Sequence, residues 1–242
     1  MTRRALLSLA VLVLISTLGF AQLGDLVKRA EGKTEPSSRD TSGLSEGKIS
    51  AGLKEALEVS TGNAVASTGR HDGFLKNEAI KIALPEKLKA VGKGLRMMGM
   101  GGQVDELEVG MNRAAEEAAP AAKSIFIGAL KRMSFDDARK ILTGGDTAAT
   151  EYFKRSCSGE LTTAFTPVVK KSMANVGVVQ KYETVVKNAP GGSAVAGDID
   201  INKYVVSKTL DGLFYVLGQE EQKIRKNPAA QTTSLLKEVF GR

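Results

Sequence analysis

The 242-residue sequence contains one histidine, one cysteine and no tryptophan. Zinc sites and Ser-His-Asp triads generally draw on imidazole groups, so a single histidine argues against both kinds of site. His71 lies between Arg70 and Asp72 in a polar stretch. Asp72 could orient the ring for base catalysis, but adjacent residues rarely make that contact. We therefore interpret His71 as an exposed loop residue.

The lone cysteine excludes an intramolecular disulfide, so packing must stabilise the fold. Cys157 stands at helical spacings from Phe153 and Leu161, which predicts that its side chain is buried and chemically inert. A reactive thiol or a disulfide between two copies of the chain is the alternative.

Long apolar runs are also scarce, and the one at the N-terminus has the pattern of a secretory signal peptide. Residues 5–20 are mostly apolar and follow Arg3 and Arg4, and Gly19 and Ala21 supply the small residues of a cleavage site. Serine, threonine and glycine interrupt the run, so its apolar core is shorter than the roughly 20 residues of a spanning helix. We expect cleavage near Ala21 and a periplasmic or secreted protein; an uncleaved anchor is the alternative.

The net charge is +7, and the charged residues are spread along the chain rather than clustered. Without Arg3 and Arg4, 32 basic residues stand against 27 acidic ones, which leaves +5. This excess permits weak attraction to an anionic surface without specifying one. Because an exported protein rarely meets nucleic acid, we expect no nucleic-acid partner and at most peripheral membrane contact.

Composition divides the chain into three segments. After the signal peptide, residues 1–21, comes a stretch rich in Glu, Lys, Ser and Thr, residues 22–43, which predicts a flexible linker. Residues 44–242 are enough to bury one sizeable core and are expected to form a single helical domain.

Within this domain, apolar residues recur at helical spacings, which predicts an all-α fold of about eight to ten short helices. Pro167 predicts a kink or break, and Asn227 followed by proline predicts a last helix at the C-terminus. The residues expected to face the core include Leu53, Leu57, Ala64, Leu88, Leu95, Met98, Val104, Leu107, Met111, Phe126, Phe165, Leu213, Leu217, Leu235, Leu236, Val239 and Phe240.

One stretch breaks the helical pattern. Near residues 79–84, Ile80, Ile82 and Leu84 alternate with Lys81 and Ala83, which predicts an extended connection or a short strand. The sequence contains no second convincing strand, so this segment cannot be half of a large sheet.

Acidic side chains are the candidates for catalysis. Asp136 with Asp137, and Asp198 with Asp200, are acidic pairs, and each pair precedes a predicted helix. Neither pair has the spacing of a calcium loop, and negative charge at a helix start favours the helix dipole. We interpret both pairs as helix caps, with Ser134 to Asp137 forming a capping box. A hydrolase that uses Asp136, Asp137, Asp146 or Glu151 is the alternative.

Methionines and glycines complete the candidate motifs. Met97, Met98 and Met100, with Met111 and Met133, could select Cu(I), but methionine more commonly fills gaps in a core. The glycine stretches 99–102 and 144–145 precede helices but lack the lysine that ends a P-loop. The sequence thus predicts no cofactor site and no metal site, and it identifies no catalytic residue.

Six segments, in order from about Leu44 to the C-terminus, together resemble the bacterial family called domain of unknown function 4197. The resemblance implies an exported, helical protein of the bacterial envelope, and it brings no activity and no catalytic residues with it. The segments are Gly73–Leu88, Met111–Pro120, Asp137–Phe153, Asp211–Tyr215, Glu221–Thr233 and Leu235–Gly241.

These patterns favour a periplasmic helical protein with a non-enzymatic binding or envelope-associated role. Its expected partner is an envelope protein or an apolar ligand, and the sequence does not define its oligomeric state. The alternative is a carboxylate-dependent hydrolase that acts on envelope material.

Overall fold

A computed structural model describes residues 46–175, 177–188 and 199–227 of the chain. Several predicted features lie outside these residues. They are the signal peptide and linker, residues 1–43, together with Asp198 and the C-terminal helix after Asn227.

Most of the described residues are helical and none of them forms a β-strand, so the all-α prediction is confirmed. A 3₁₀ turn, Ala119–Ala121, joins the third helix to the fourth. In chain order the α-helices are α1 Glu46–Gly69, α2 Glu86–Met97, α3 Gly101–Ala118, α4 Ala122–Arg132, α5 Phe135–Thr143, α6 Ala148–Asn175, α7 Val178–Asn188 and α8 Ile201–Lys226.

Three helices are long rather than short: α1 has 24 residues, α6 has 28 and α8 has 26. Helix α6 continues through Pro167, so the proline does not divide it. A proline inside a helix removes one hydrogen bond and crowds the carbonyl four residues earlier, which the packing of the helix must offset. The packed faces on both sides of Pro167 hold the two halves of α6 in one element, with Phe165 and Val169 both fully buried.

The helices pack around α6 and α8. Helix α8 lies against α6 and α1, and α3 lies against α6 and α7. At the centre, the Phe126 ring meets the edge of Phe153 at a centroid distance of 5.1 Å, and Phe214 at 6.3 Å. Such edge-to-face pairs add specific geometry to apolar burial. Cys157 is fully buried beside this cluster, as predicted.

The connection between α1 and α2 is extended near its end. Ile80, Ile82 and Leu84 are buried and Lys81 and Ala83 are exposed, so the alternation predicted for residues 79–84 is confirmed. Residues 81–85 form an extended connection and not a strand, and a hydrogen-bonded turn precedes them, in which the amide of Ile80 donates to the carbonyl of Asn77 at 3.0 Å.

Polar side chains of α3 take the place of a neighbouring strand. Glu108, Asn112 and Glu116 are spaced by four residues and face the connection. Asn112 bonds both backbone groups of Ile82 at 2.8 Å, and Glu116 accepts a hydrogen bond from the amide of Phe74 at 3.1 Å. Buried backbone groups must be paired, and here helix side chains pair them.

The prediction that Met98 faces the core is wrong, because its side chain is 61 % exposed. Helix α2 ends at Met97, and Gly99 then turns the chain in the left-handed region, with φ of 79°. Met98 therefore leaves the apolar stripe to which its spacing assigned it. Met97 is also exposed, whereas Met111 and Met133 are buried and fill the core.

Candidate functional site

The most prominent concavity of the described residues is a groove that runs along α6 and α8. It consists of a cavity of about 750 Å³ and a second of about 420 Å³, which meet at Ser207 and Leu210. We call the first the upper cavity and the second the lower cavity. Ligand sites in proteins are usually concavities of this size.

Helix α6 contributes one side of the groove with residues spaced by four. Thr150, Lys154 and Ser158 line the upper cavity, and Thr162, Thr166 and Lys170 line the lower one. Residues four apart form a continuous ridge on a helix, so this side is a single row of hydroxyl and ammonium groups.

Helix α8 contributes the opposite side, which is more varied. Tyr215, Gln219 and Gln222 line the upper cavity together with the buried Phe214. The Tyr215 side chain is 48 % exposed, and its hydroxyl accepts a hydrogen bond from Gln219 at 3.1 Å. The groove thus presents an aromatic ring among amides.

Charges within the upper cavity compensate each other. Glu151 pairs with Lys154 at 2.9 Å, and Asp211 pairs with Lys208 at 2.9 Å. The hydrogen bond that Lys208 donates to Asp211 raises the pKa of Lys208, which therefore stays protonated. The upper cavity is close to neutral as a whole.

The lower cavity has more positive charge. Lys170 and Lys203 line it, and Asp200 is its acidic group. Asp200 also caps α8, because its carboxylate accepts a hydrogen bond from the amide of Lys203 at 3.0 Å. The Asp200 half of the predicted acidic pair is therefore a helix cap.

A buried carboxylate fixes the relative position of the two groove helices. Glu221 on α8 accepts hydrogen bonds from the amides of Ala149 at 2.9 Å and Thr150 at 2.8 Å, in the first turn of α6. Arg225 pairs with Glu221 at 2.9 Å and donates to the carbonyl of Ile141 at 2.8 Å. Free amides at a helix start need acceptors, and here the neighbouring helix supplies one.

Glu221 is not among the acidic residues that the sequence singles out. Asp146, which is among them, forms an ion pair with Lys226. The signal for Glu221 was weak: an acidic residue three positions before Ile224 on a stripe that is otherwise apolar. Its partners at residues 149 and 150 lie some seventy residues away in sequence, as the separations of 72 and 71 show.

The other acidic candidates do not come together with Glu151. Asp136 and Asp137 lie in the first turn of α5, and Asp137 forms the predicted capping box with Ser134. Hydrogen bonds from Ser134 hold the pKa of Asp137 below its ordinary value. Of Asp136, Asp137, Asp146 and Glu151, only Glu151 lines the groove.

His71 lies at the surface, as interpreted, and its Nδ1 is 3.4 Å from Asp72. Asp72 is mainly engaged elsewhere, since Lys76 pairs with it at 2.8 Å and Arg113 at 2.7 Å. These two cations hold the pKa of the Asp72 carboxyl far below its ordinary value. The ion pair of Asp72 with Arg113 therefore holds the connection between α1 and α2 against α3.

The surroundings of Cys157 favour a structural role for its thiol. Burial raises the pKa of the Cys157 thiol, which disfavours the reactive thiolate.

In the described ranges, no three His, Cys, Asp or Glu side chains gather in a way that could hold a metal ion. No helix in that part of the chain combines the length and the apolar composition required to cross a membrane.

Comparison with known proteins adds a family. The family model described as protein of unknown function (DUF4197) matches residues 43–241. None of the curated proteins and none of the solved structures compared with the chain matches it.

Proposed function

Because the chain belongs to the DUF4197 family of proteins of unknown function, which supplies no activity to transfer, we propose a function from the groove itself. The protein is a non-enzymatic binding protein of the bacterial envelope, and the groove between α6 and α8 holds its ligand. The continuity of the upper and lower cavities at Ser207 and Leu210 carries this proposal.

The lining supports binding rather than catalysis. The acidic groups of the upper cavity, Glu151 and Asp211, are exposed and paired with lysines. General acid–base catalysis needs a carboxyl group placed to exchange a proton with the reacting atoms. A carboxylate that faces solvent in an ion pair with a lysine is instead placed to recognise polar groups of a ligand.

The groove also bears on the kind of ligand. The sequence predicts an envelope protein or an apolar ligand as the partner. Most residues that line the groove carry hydroxyl, amide or charged groups, although apolar atoms make up more than half of its exposed lining. Polar groups that a ligand covers need polar partners, so a ligand with both polar groups and apolar faces matches this lining. We propose such a ligand for this site.

The proposed location is the periplasm, with the signal peptide removed after Ala21. The n-region arginines, the apolar run and the small residues at the cleavage site support it. The test is the intact mass of the protein recovered from the periplasmic fraction. A chain that begins at Gln22 is expected, and a full-length chain held in the membrane fraction would contradict the proposal.

Native mass spectrometry of the protein purified gently from the periplasm tests the binding function. We expect a bound species on the wild type that is absent from Ser207→Trp, because an indole at Ser207 would fill the junction of the two cavities. Ser124→Trp is the matched control, since Ser124 is an exposed serine of α4 outside the groove. A bound species that survives in Ser207→Trp would show that the ligand lies elsewhere.

A further inference from the structure

Three of the four hydroxyl groups that α6 contributes to the groove share one hydrogen-bonding state, whereas the fourth, that of Thr150, donates to Glu221 at 2.8 Å. Ser158 donates its proton to the carbonyl of Lys154 at 2.6 Å. Thr162 donates to the carbonyl of Ser158, and Thr166 to the carbonyl of Thr162, both at 2.7 Å. A hydroxyl has one proton and two lone pairs. With their protons directed into the helix, these three oxygens offer acceptors to the groove.

This row of acceptors is regular. Successive hydroxyls are four residues apart, which corresponds to about 6 Å along the helix. That spacing is of the same order as the length of one pyranose unit in a chain. A partner with hydroxyl or amide donors at such a repeat would match Ser158, Thr162 and Thr166 in turn.

The opposite side adds a stacking surface. Tyr215 exposes almost half of its side chain, and the buried Phe214 lies next to it in the lining. An aromatic face attracts groups with partial positive charge, which include the C–H bonds on the flat face of a sugar ring. Gln219 and Gln222 place amide donors and acceptors around that ring.

Charge and shape narrow the ligand class. The pairs of Glu151 with Lys154 and of Asp211 with Lys208 leave the upper cavity close to neutral. Lys170 and Lys203 against Asp200 leave the lower cavity with one excess positive charge, so the groove as a whole does not favour a highly charged ligand. The α6 side runs from Thr150 to Lys170, which is about 30 Å of helix. An elongated, uncharged and hydroxyl-rich molecule fits these conditions.

We infer that the groove binds a linear, uncharged glycan chain, whose hydroxyl groups donate to the acceptor row of α6 and one of whose rings stacks on Tyr215. This inference rests on the proposed function of the same groove and specifies its ligand class. A glycan of N-acetylated amino sugars and one of plain hexoses share this chemistry.

The experiment is an NMR titration of isotopically labelled protein, purified as the chain that bacterial cells produce, with two soluble tetrasaccharides. One is a β-1,4-linked N-acetylglucosamine tetramer and the other a β-1,4-linked glucose tetramer. We expect saturable shifts of groove amides with at least one of the two tetrasaccharides. The one that binds more strongly shows whether the natural glycan consists of N-acetylated amino sugars or of plain hexoses. Inorganic polyphosphate is the third probe. The inference is overturned if the protein binds polyphosphate but neither sugar. It is also overturned if neither sugar shifts the groove amides.

Two pairs of variants locate the binding. Tyr215→Ala should weaken the tetrasaccharide roughly tenfold, whereas Tyr215→Phe, which keeps the ring, should change the affinity only about twofold. Thr162→Val should weaken it about twofold to fivefold, because the isosteric side chain removes one acceptor. Thr163→Val is its control: Thr163 is exposed and also bonds back to a carbonyl, that of Gly159, but lies outside the groove lining.

Equal affinities for Tyr215→Ala and the wild type would place the sugar elsewhere and overturn the inference. Together with the native mass spectrum, the titration distinguishes failure of this inference from failure of the proposed function. A bound species that Ser207→Trp removes in native mass spectrometry, together with no binding of either tetrasaccharide, would leave a binding protein whose ligand is not a glycan.

Discussion

Asn112 and Ile82 are joined by two hydrogen bonds, in the way that neighbouring strands pair. The Asn112 amide donates to the carbonyl of Ile82 and its oxygen accepts from the amide of Ile82, both at 2.8 Å. Asn112 is fully buried, and its amide also donates to the carbonyl of Glu108 at 2.8 Å. One helical side chain thus satisfies a buried segment of backbone.

Replacing Asn112 should be costly for this reason. In Asn112→Leu, a side chain of similar size leaves the amide and the carbonyl of Ile82 without partners. Each unsatisfied buried group costs about 1–3 kcal/mol, so we expect unfolding to become easier by about 2–4 kcal/mol. Urea denaturation followed by circular dichroism measures this change.

A residue-specific measurement separates this mechanism from general loss of packing. The amide of Ile82 should exchange with solvent faster in Asn112→Leu by more than the global loss of stability explains. Asn63→Leu is the control, because Asn63 is an exposed residue of α1 bonded to Glu220, and its loss should cost less than about 0.5 kcal/mol. Equal costs for the two variants would contradict the strand-like role of Asn112.

Glu221 should be as important to the groove as Asn112 is to the connection. Glu221→Gln keeps the size of the side chain, but an NH2 group replaces one of the two oxygens that accept from the amides of Ala149 and Thr150, so one of these amides faces another donor. It also leaves the guanidinium of Arg225 without its carboxylate. We expect a loss of about 2–4 kcal/mol.

The measurement is again denaturation, with Glu58→Gln as the control for loss of an exposed carboxylate on α1. Hydrogen exchange adds the site: the first turn of α6 should open more readily in Glu221→Gln. A variant as stable as Glu58→Gln, with unchanged exchange at Thr150, would show that Glu221 does not hold the start of α6.

Asp72 predicts a dependence of stability on pH. Hydrogen bonds from Lys76 and Arg113 hold the pKa of its carboxyl well below the ordinary value in the folded protein. A group with a lowered pKa stabilises the fold above its unfolded pKa of about 4, and this contribution is lost as the pH falls further. Asp72→Asn should therefore lose less stability than the wild type on acidification below about pH 4.

The asparagine variant suits this test because Asp72 has a positive φ of 65°. Asparagine tolerates the left-handed region, so the substitution removes the charge without straining the backbone. Urea midpoints between neutral and acidic pH provide the measurement. Asp105→Asn, which removes a more exposed carboxylate paired with Arg96, controls for net charge. Parallel pH profiles of the wild type and Asp72→Asn would contradict the prediction.

Much of the fold could be predicted from local patterns. The stripe of α3, from Val104 through Leu107 to Met111, is buried as expected, because helical periodicity is a property of neighbouring residues. The capping box of Ser134 and Asp137 was predictable for the same reason, since both partners lie within four residues.

The features that the sequence did not reveal depend on distant partners. Glu116 and Asn112 are polar residues beside an apolar stripe, and only the course of the chain from Phe74 to Ile82 shows what they bind. The groove has the same character, because its two sides come from α6 and α8 and neither helix alone forms a concavity. Sequence periodicity also could not show that Gly99 turns Met98 out of the core.

The exposed methionines predict an order of oxidation. Met97 is 77 % exposed and Met98 61 % exposed, whereas Met111 and Met173 are fully buried. A thioether takes one oxygen atom from hydrogen peroxide and releases water, and it reacts only where the oxidant reaches sulfur. We expect peptide mass mapping to show sulfoxide at Met97 and Met98 before any at Met111 or Met173. The same treatment in denaturant is the control, since all methionines are then accessible and the order should disappear. Early oxidation of Met111 in the native protein would mean that the core beneath α3 opens to solvent.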